Sequence, residues 1–258
     1  MDTSILEANP LAVVAASLAL VGAAAVMAWW LGLGVQRSIM WASVRAAIQL
    51  VAVGVVLSFA IDGSWEWILA PVWIVAMVAI AANTVRQRAR RTGVAIPAAL
   101  AIAAATLLSM AVVFGFGVLP AEPIQMIVVA GITIGNVMPA TVVATDQVHK
   151  QLTDGRATIE GLLALGIDAR RSTRYIVAEA TRVSLIPQIE RTKVVGLIAL
   201  PGAFTGLLIA GVDPLEAAVI QLVVMYLVLG SVAISTAVVA LTSARTAFTP
   251  DQRLKPVG

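Results

Sequence analysis

The chain contains no cysteine and only one histidine, His149, in 258 residues. The missing cysteine excludes a disulfide framework, thiolate metal sites and cysteine nucleophiles. A single histidine leaves no His-rich metal cluster and little scope for histidine catalysis. Charge is scarce too: 12% of residues are Asp, Glu, Lys or Arg, about half of the roughly 25% usual in soluble domains. No G-x-x-x-x-G-K-[ST] phosphate loop occurs, so the chain has no recognisable cradle for ATP phosphates. What it has in abundance is apolar surface. With 60% hydrophobic residues and a mean hydropathy of +0.97, too few polar side chains remain to cover a water-soluble fold. Lipid is the expected solvent for most of the molecule.

A bilayer core about 30 Å thick needs roughly 20 apolar helical residues per crossing. Uncharged runs near that length fall at about 9–36, 46–61, 67–85, 92–121, 123–145, 194–212 and 217–244. They predict an all-α membrane protein with seven spans. The alternating ten-residue segments of a β-barrel are not the pattern here. The second run is short, but Trp41 and Arg45 precede it, and an aromatic ring and a snorkelling arginine both suit the headgroup region.

The loops sort by charge. Arg37 and Arg45, then Arg86, Arg88, Arg90 and Arg91, then eight bases between Lys150 and Lys193, then Arg245, Arg253 and Lys255 account for all 17 basic residues, all on one side of a seven-span chain. The opposite side holds only Asp2, Glu7, Asp62, Glu66, Glu122, Asp213 and Glu216. Basic loops stay cytoplasmic, which puts the N-terminus outside and the C-terminus inside. The sequence pI of about 9.8 then reflects topology, and no nucleic-acid partner is expected. Acidic Asp2 and Glu7, where a signal peptide would be basic, favour a retained first span. The expectation is one transmembrane domain over residues 1–258, multi-pass in the inner (plasma) membrane.

The long basic loop, about 146–193, is expected to carry structure of its own. Ile159, Leu162, Leu163 and Ile167 recur at helical spacing and give one apolar face. An apolar face on a cytoplasmic loop needs a partner: the inner leaflet, where arginines meet anionic headgroups, or a protein groove.

The run Glu160, Gly161, Leu162, Leu163, Ala164, Leu165, Gly166 resembles the EAA loop of ABC-transporter permeases, a glutamate followed by small residues and a glycine six positions on. Gly161 and Leu162 stand where that motif has alanines. A longer likeness starts at Ile134 with IGNVMPATVVATDQV and continues from Glu160 through EGLLALGIDARRSTRYIVAEATRVSLIPQIERTKVVGLIALPG. This is similar to the FetB-type iron-export permeases, a family that includes the membrane half of plant aluminium-tolerance transporters. It covers about the C-terminal half strongly and the rest through its span pattern.

The resemblance implies the permease subunit of an ATP-driven ABC transporter that exports a metal ion such as iron. It implies a separate ATP-binding subunit that holds ATP and Mg, and two copies of this chain in the assembly. Glu160, Leu162, Leu163, Ala164, Leu165 and Gly166 would then form the ATPase-coupling helix. A nucleotide sugar is the alternative cargo, by analogy with the plant relatives. A secondary transporter or membrane scaffold is the alternative class, although ion coupling normally needs ionisable groups that the spans lack. Two departures stand out: Glu190, Arg191 and Lys193 follow LIP where apolar residues are usual, and Pro139 follows Met138.

With no charge inside the spans, the polar marks are Gln49, Asn83, Gln125, Asn136 and Gln221, with Thr133 and Thr141. Interhelical hydrogen bonding, worth about 0.6 kcal/mol each, is the ordinary use of such residues. Asn136 is singled out because it lies between Gly135 and Met138 in the most family-like segment. The candidate translocation path is Gln49, Asn83, Asn136 and Met138. Methionine in an apolar helix is otherwise a gap filler, which is the ordinary reading of Met126, Met138 and Met225. Gly131-x-x-x-Gly135 and Gly202-x-x-x-Gly206 allow close backbone approach within the chain or between copies. Pro201 is expected to break or bend a helix. No triad, paired intramembrane carboxylates or metal-ligand cluster is visible, which argues against an enzyme.

Overall fold

The computed structural model describes residues 10–61, 65–90 and 93–255. Asp2, Glu7, Asp62 and Arg91, used above in the charge argument, lie outside them. Among the described residues the structure is all-helical, with two isolated β-bridges in place of any sheet. The chain divides into two compact units, residues 1–66 and 67–258.

The first unit is a hairpin of α1 (Pro10–Trp30) and α2 (Gln36–Ile61). Gly32 and Gly34 make the turn at φ of +65° and +69°, a left-handed backbone that glycine adopts without steric cost. α2 starts ten residues before the apolar run at 46, so Arg37 and Arg45 ride on the helix itself. At 26 residues it is about 39 Å long, which resolves the shortness of the second run. Trp29, Trp30 and Trp41 are exposed near the turn beside Arg37, the aromatic and basic combination suited to a headgroup layer.

The second unit contains α3 (Glu66–Ala89), α4 (Ala95–Gly115), α5 (Pro123–Asp154), α6 (Arg156–Ala164), α7 (Ala169–Ser172), α8 (Arg174–Val194), α9 (Gly202–Ile209) and α10 (Pro214–Thr246). Its main core joins Ala81, Ala82 and Val85 of α3 to Ala98, Ile102 and Ala105 of α4, Ala130 and Val137 of α5, and Val232 of α10. Alanine dominates because lipid exerts no hydrophobic pressure between helices, and small side chains let them approach closely enough for dispersion to act.

Among the described residues, five helices are long and apolar enough to cross a membrane: α2 over Gln36–Val55, α3, α4, α5 and α10. α1 adds a shorter apolar stretch, Val14–Trp30. The sixth run, expected as a span over 194–212, is not a membrane-length helix. α8 ends at Val194, a turn bridged by Val195 and Ala199 follows, and α9 has eight residues, about 12 Å. Pro201, with φ of −62° and ψ of 145°, is the residue that caps α9. Proline cannot donate to a helix continuing from before it, so the backbone restarts there.

The directions of the long helices explain how the chain returns. Thr141 and Ser235 share a 2.8 Å hydroxyl hydrogen bond, and Val148 and Leu152 of α5 pack with Ala240 and Ala244 of α10. Residue numbers rise together on both helices, so α5 and α10 are parallel. The intervening segment must therefore run back along them. α8 does so: Ile176 and Ala180 join Val148, Leu152 and Ala244, whereas Gln188 and Thr192 reach Asn136 and Val228. At 32 and 33 residues, α5 and α10 are about 48 and 50 Å long. Both outreach a bilayer core of about 30 Å, and α6, α7 and the first half of α8 pack at the C-terminal end of the pair.

Candidate functional site

Two places in the second unit have the geometry of a working site: the tip formed by α6, and a polar cavity where α8 breaks.

The EAA-like run folds as a short helix and its stop. Leu165 N–H donates to the Gly161 carbonyl, Gly166 N–H to Leu163 and Ile167 N–H to Leu162, at 3.0–3.1 Å. Gly166 sits at φ +81°. This is a Schellman stop, with glycine in the left-handed position and an apolar pair, Leu162 and Ile167, on either side. The glycine of the motif thus ends the helix. A Gly166→Ala chain should lose about 1–2 kcal/mol, the left-handed cost for an L-residue, read as a lower unfolding midpoint with the helix content retained.

Part of the apolar face of α6 is used inside the chain, so the expected external partner is not needed for Ile159 and Leu163. Ile159 is fully buried in a cluster with Leu152, Ile176, Ala180, Ala244, Phe248 and Leu254, and Leu163 packs against it. The cover comes from the C-terminal tail. Phe248 and Leu254 bridge as an antiparallel pair, and Gln252 Oε1 accepts the Ala169 N–H at 3.1 Å. What stays outside is Leu165, 80% exposed, with Ala164, Gly161 and Glu160. Glu160 accepts a 2.8 Å bond from Arg156 Nε one turn earlier. Asp168 caps α7 by accepting the Arg171 N–H at 2.7 Å. On the first half of α8, the hydrogen bond from the Arg182 guanidinium holds the Glu179 carboxyl below its usual range. Both side chains are open to solvent, and such a pair weighs little on stability.

The cavity, about 180 Å³, is bounded by α5, α8, α9 and α10. Asn136, Gln188, Arg191, Thr192, Gln221 and Met225 line it, with Pro201, Gly202 and Ala203 at the start of α9. Asn136 Nδ2 donates to the Ile132 carbonyl at 2.8 Å and Thr192 Oγ1 to that of Gln188 at 2.8 Å. Gln221 Oε1 is buried with no hydrogen-bond partner, a costly state for an amide that no ligand satisfies.

Of the predicted path residues, Asn136 is the one in the cavity lining. Met138 packs nearby at the edge of the main core. Asn83 is exposed on α3, and Gln49 is exposed on α2 in the other unit. Of the packing glycines, a side chain at Gly131 would touch Met77 at 3.7 Å, while Gly135, Gly202 and Gly206 have nothing within 4 Å. Within the chain, therefore, the 202–206 pair brings no backbones into close approach. Sequence reasoning passed over Gln188 and Thr192, although they stand one turn apart just after Pro187 and share a helix face. Arg191 was noticed only as a departure from the family. Phe248 and Leu254 were missed because a tail looks unstructured, yet they are the apolar residues flanking a polar TPDQR stretch.

Comparison with known proteins agrees over nearly the whole chain. The matching family model, described as "Uncharacterised protein family (UPF0014)", covers residues 11–248. The UPF0014 membrane protein STAR2 of rice (Oryza sativa subsp. japonica) is 38% identical over 86% of this chain and 78% of its own length. Protein ALUMINUM SENSITIVE 3 of Arabidopsis thaliana is 34% identical over 86% and 81%. The probable iron export permease protein FetB of Escherichia coli is 30% identical over 79% of each chain. No solved structure matches at a stringent threshold. Membrane-length helices, the motif-bearing tip and matches along most of the sequence lead to one conclusion: this is a multi-pass membrane protein, and it belongs to the UPF0014 family.

Proposed function

We propose that this chain is the permease subunit of an ATP-driven ABC transporter, with α6 as the helix that couples it to a separate ATP-binding subunit. The observation that carries the reading is the exposed Leu165 within an EAA-like sequence, on a tip anchored by its own buried face. A coupling element must transmit force, so its inner face has to be locked to the long helices while its outer face stays free. α6 has both properties. The resident ATPase would supply the phosphate loop and hold ATP and Mg; two copies of the chain would pair with two such subunits. Seven crossings follow if α8 and α9 together make the broken return between α5 and α10, with the N-terminus outside and α6 in the cytoplasm. The charge partition supports that topology. A metal ion such as iron is the proposed cargo, on the strength of the relative named an iron export permease.

Reconstitution tests the reading. Liposomes holding this chain and its ATP-binding partner should move substrate only with ATP and the partner present. ATP-independent flux would overturn it in favour of a secondary transporter.

A further inference from the structure

We propose that the cavity at the α8 break binds an oxyanion bearing hydroxyl groups, a carboxylate or phosphate compound, so that any metal cargo crosses as an anionic complex and not as a bare cation. The inference rests on the permease reading for its word "cargo"; the binding site itself stands on geometry.

Among the described residues, the cavity lining carries one full positive charge and no negative one. Arg191 lines it together with three amides, Asn136, Gln188 and Gln221, and the hydroxyl of Thr192. Among the described residues Arg191 enters no ion pair, and the neighbouring Glu190 is held by Lys193 at 2.8 Å. Its fork of donors is free to take two oxygens of one ligand. The amides of Gln188 and Gln221 add uncharged donors, and the Asn136, Thr192 and Gln221 oxygens remain as acceptors for ligand hydroxyls. Gln221 Oε1, buried and unpartnered, is the acceptor that most needs one. Gly202 and Ala203, the first residues of α9, line the same space, and a helix start favours negative charge.

The same lining is wrong for a naked metal ion. Amide oxygens can ligate a hard cation, but such sites also draw on carboxylates to balance its charge, and softer cations take thiolate or imidazole. The cavity offers no carboxylate, imidazole or thiolate, only the thioether of Met225, and Arg191 repels any cation that enters.

The test is a binding titration on the purified full-length chain in phosphatidylcholine nanodiscs, with citrate, inorganic phosphate and manganese(II) chloride as separate probes. Citrate or phosphate should bind saturably, and Arg191→Gln or Gln221→Leu should weaken that binding at least about tenfold, the usual loss for a charge-assisted contact. Arg182→Gln, on the exposed side of α8, is the matched control and should bind as the wild type does. Matching elution profiles and unfolding midpoints would confirm that each variant is folded. Saturable binding of manganese alone, or oxyanion binding that survives both cavity variants, overturns the proposal. A further arm adds phosphatidylglycerol to the discs: if the lipid displaces citrate and phosphate completely, the site holds a headgroup and the cargo assignment falls. ATP-dependent flux, measured separately, distinguishes the two readings. Flux without oxyanion binding defeats only this inference, whereas oxyanion binding without ATP-dependent flux defeats only the transporter class.

Discussion

A chain carrying Leu165→Glu is expected to fold as the wild type does and to lose its ATPase. Leu165 is 80% exposed, so the substitution removes no internal contact, and exposed changes of that kind usually stay within about 0.5 kcal/mol. At a docking surface the effect is different. Placing a carboxylate where an apolar side chain enters a partner cleft costs about 2 kcal/mol or more, as at other interface hot spots, which is roughly thirtyfold in affinity. Co-purification of the ATP-binding subunit and transport-linked ATP hydrolysis should both fall sharply, while the unfolding midpoint stays put. Wild-type coupling in this variant would show that α6 is not the docking surface.

Ile159→Ala should do the reverse. Six residues away, Ile159 is fully buried between the ends of α5, α8 and α10 and the folded-back tail. Truncating such a side chain leaves a cavity and typically costs about 2–5 kcal/mol. The cluster is small, so little remains to close around the gap. A lower unfolding midpoint is expected, with Ile159→Val losing only about 0.5–1.5 kcal/mol as the graded control. If Ile159→Ala leaves the midpoint unchanged, the tail and α6 do not form the packed joint that the geometry describes. Together the two variants separate the inner face of α6, which packs against the long helices, from the outer face, proposed to engage the partner.

Much of the architecture was legible in the sequence because lipid imposes a simple rule. Backbone polar groups in a bilayer must be satisfied within a segment, so an apolar run of adequate length, as in α4 or α5, can hardly be anything but a helix. The sixth run broke that inference for a local reason. Val194 to Val212 is apolar enough, but Gly196, Pro201 and Gly202 punctuate it, and hydropathy does not register a missing N–H donor or a left-handed glycine at φ +86°. The candidate sites were less legible. Asn136 looked like a path residue by its neighbourhood, and it lines the cavity; Asn83 and Gln49 had the same chemistry, yet neither is in that lining. A side chain's type does not say which helix stands opposite it.

The sequence alone determined the solvent, the helical class, the family and the motif at Glu160–Gly166, since each depends on local composition or spacing. Only the tertiary structure decided which face of α6 is free and which residues share a cavity. Both depend on α5 and α10 running parallel, which forces the chain back between them through α8 and its break. Direction, and the contacts between residues far apart in the chain that follow from it, leaves no mark on hydropathy or periodicity.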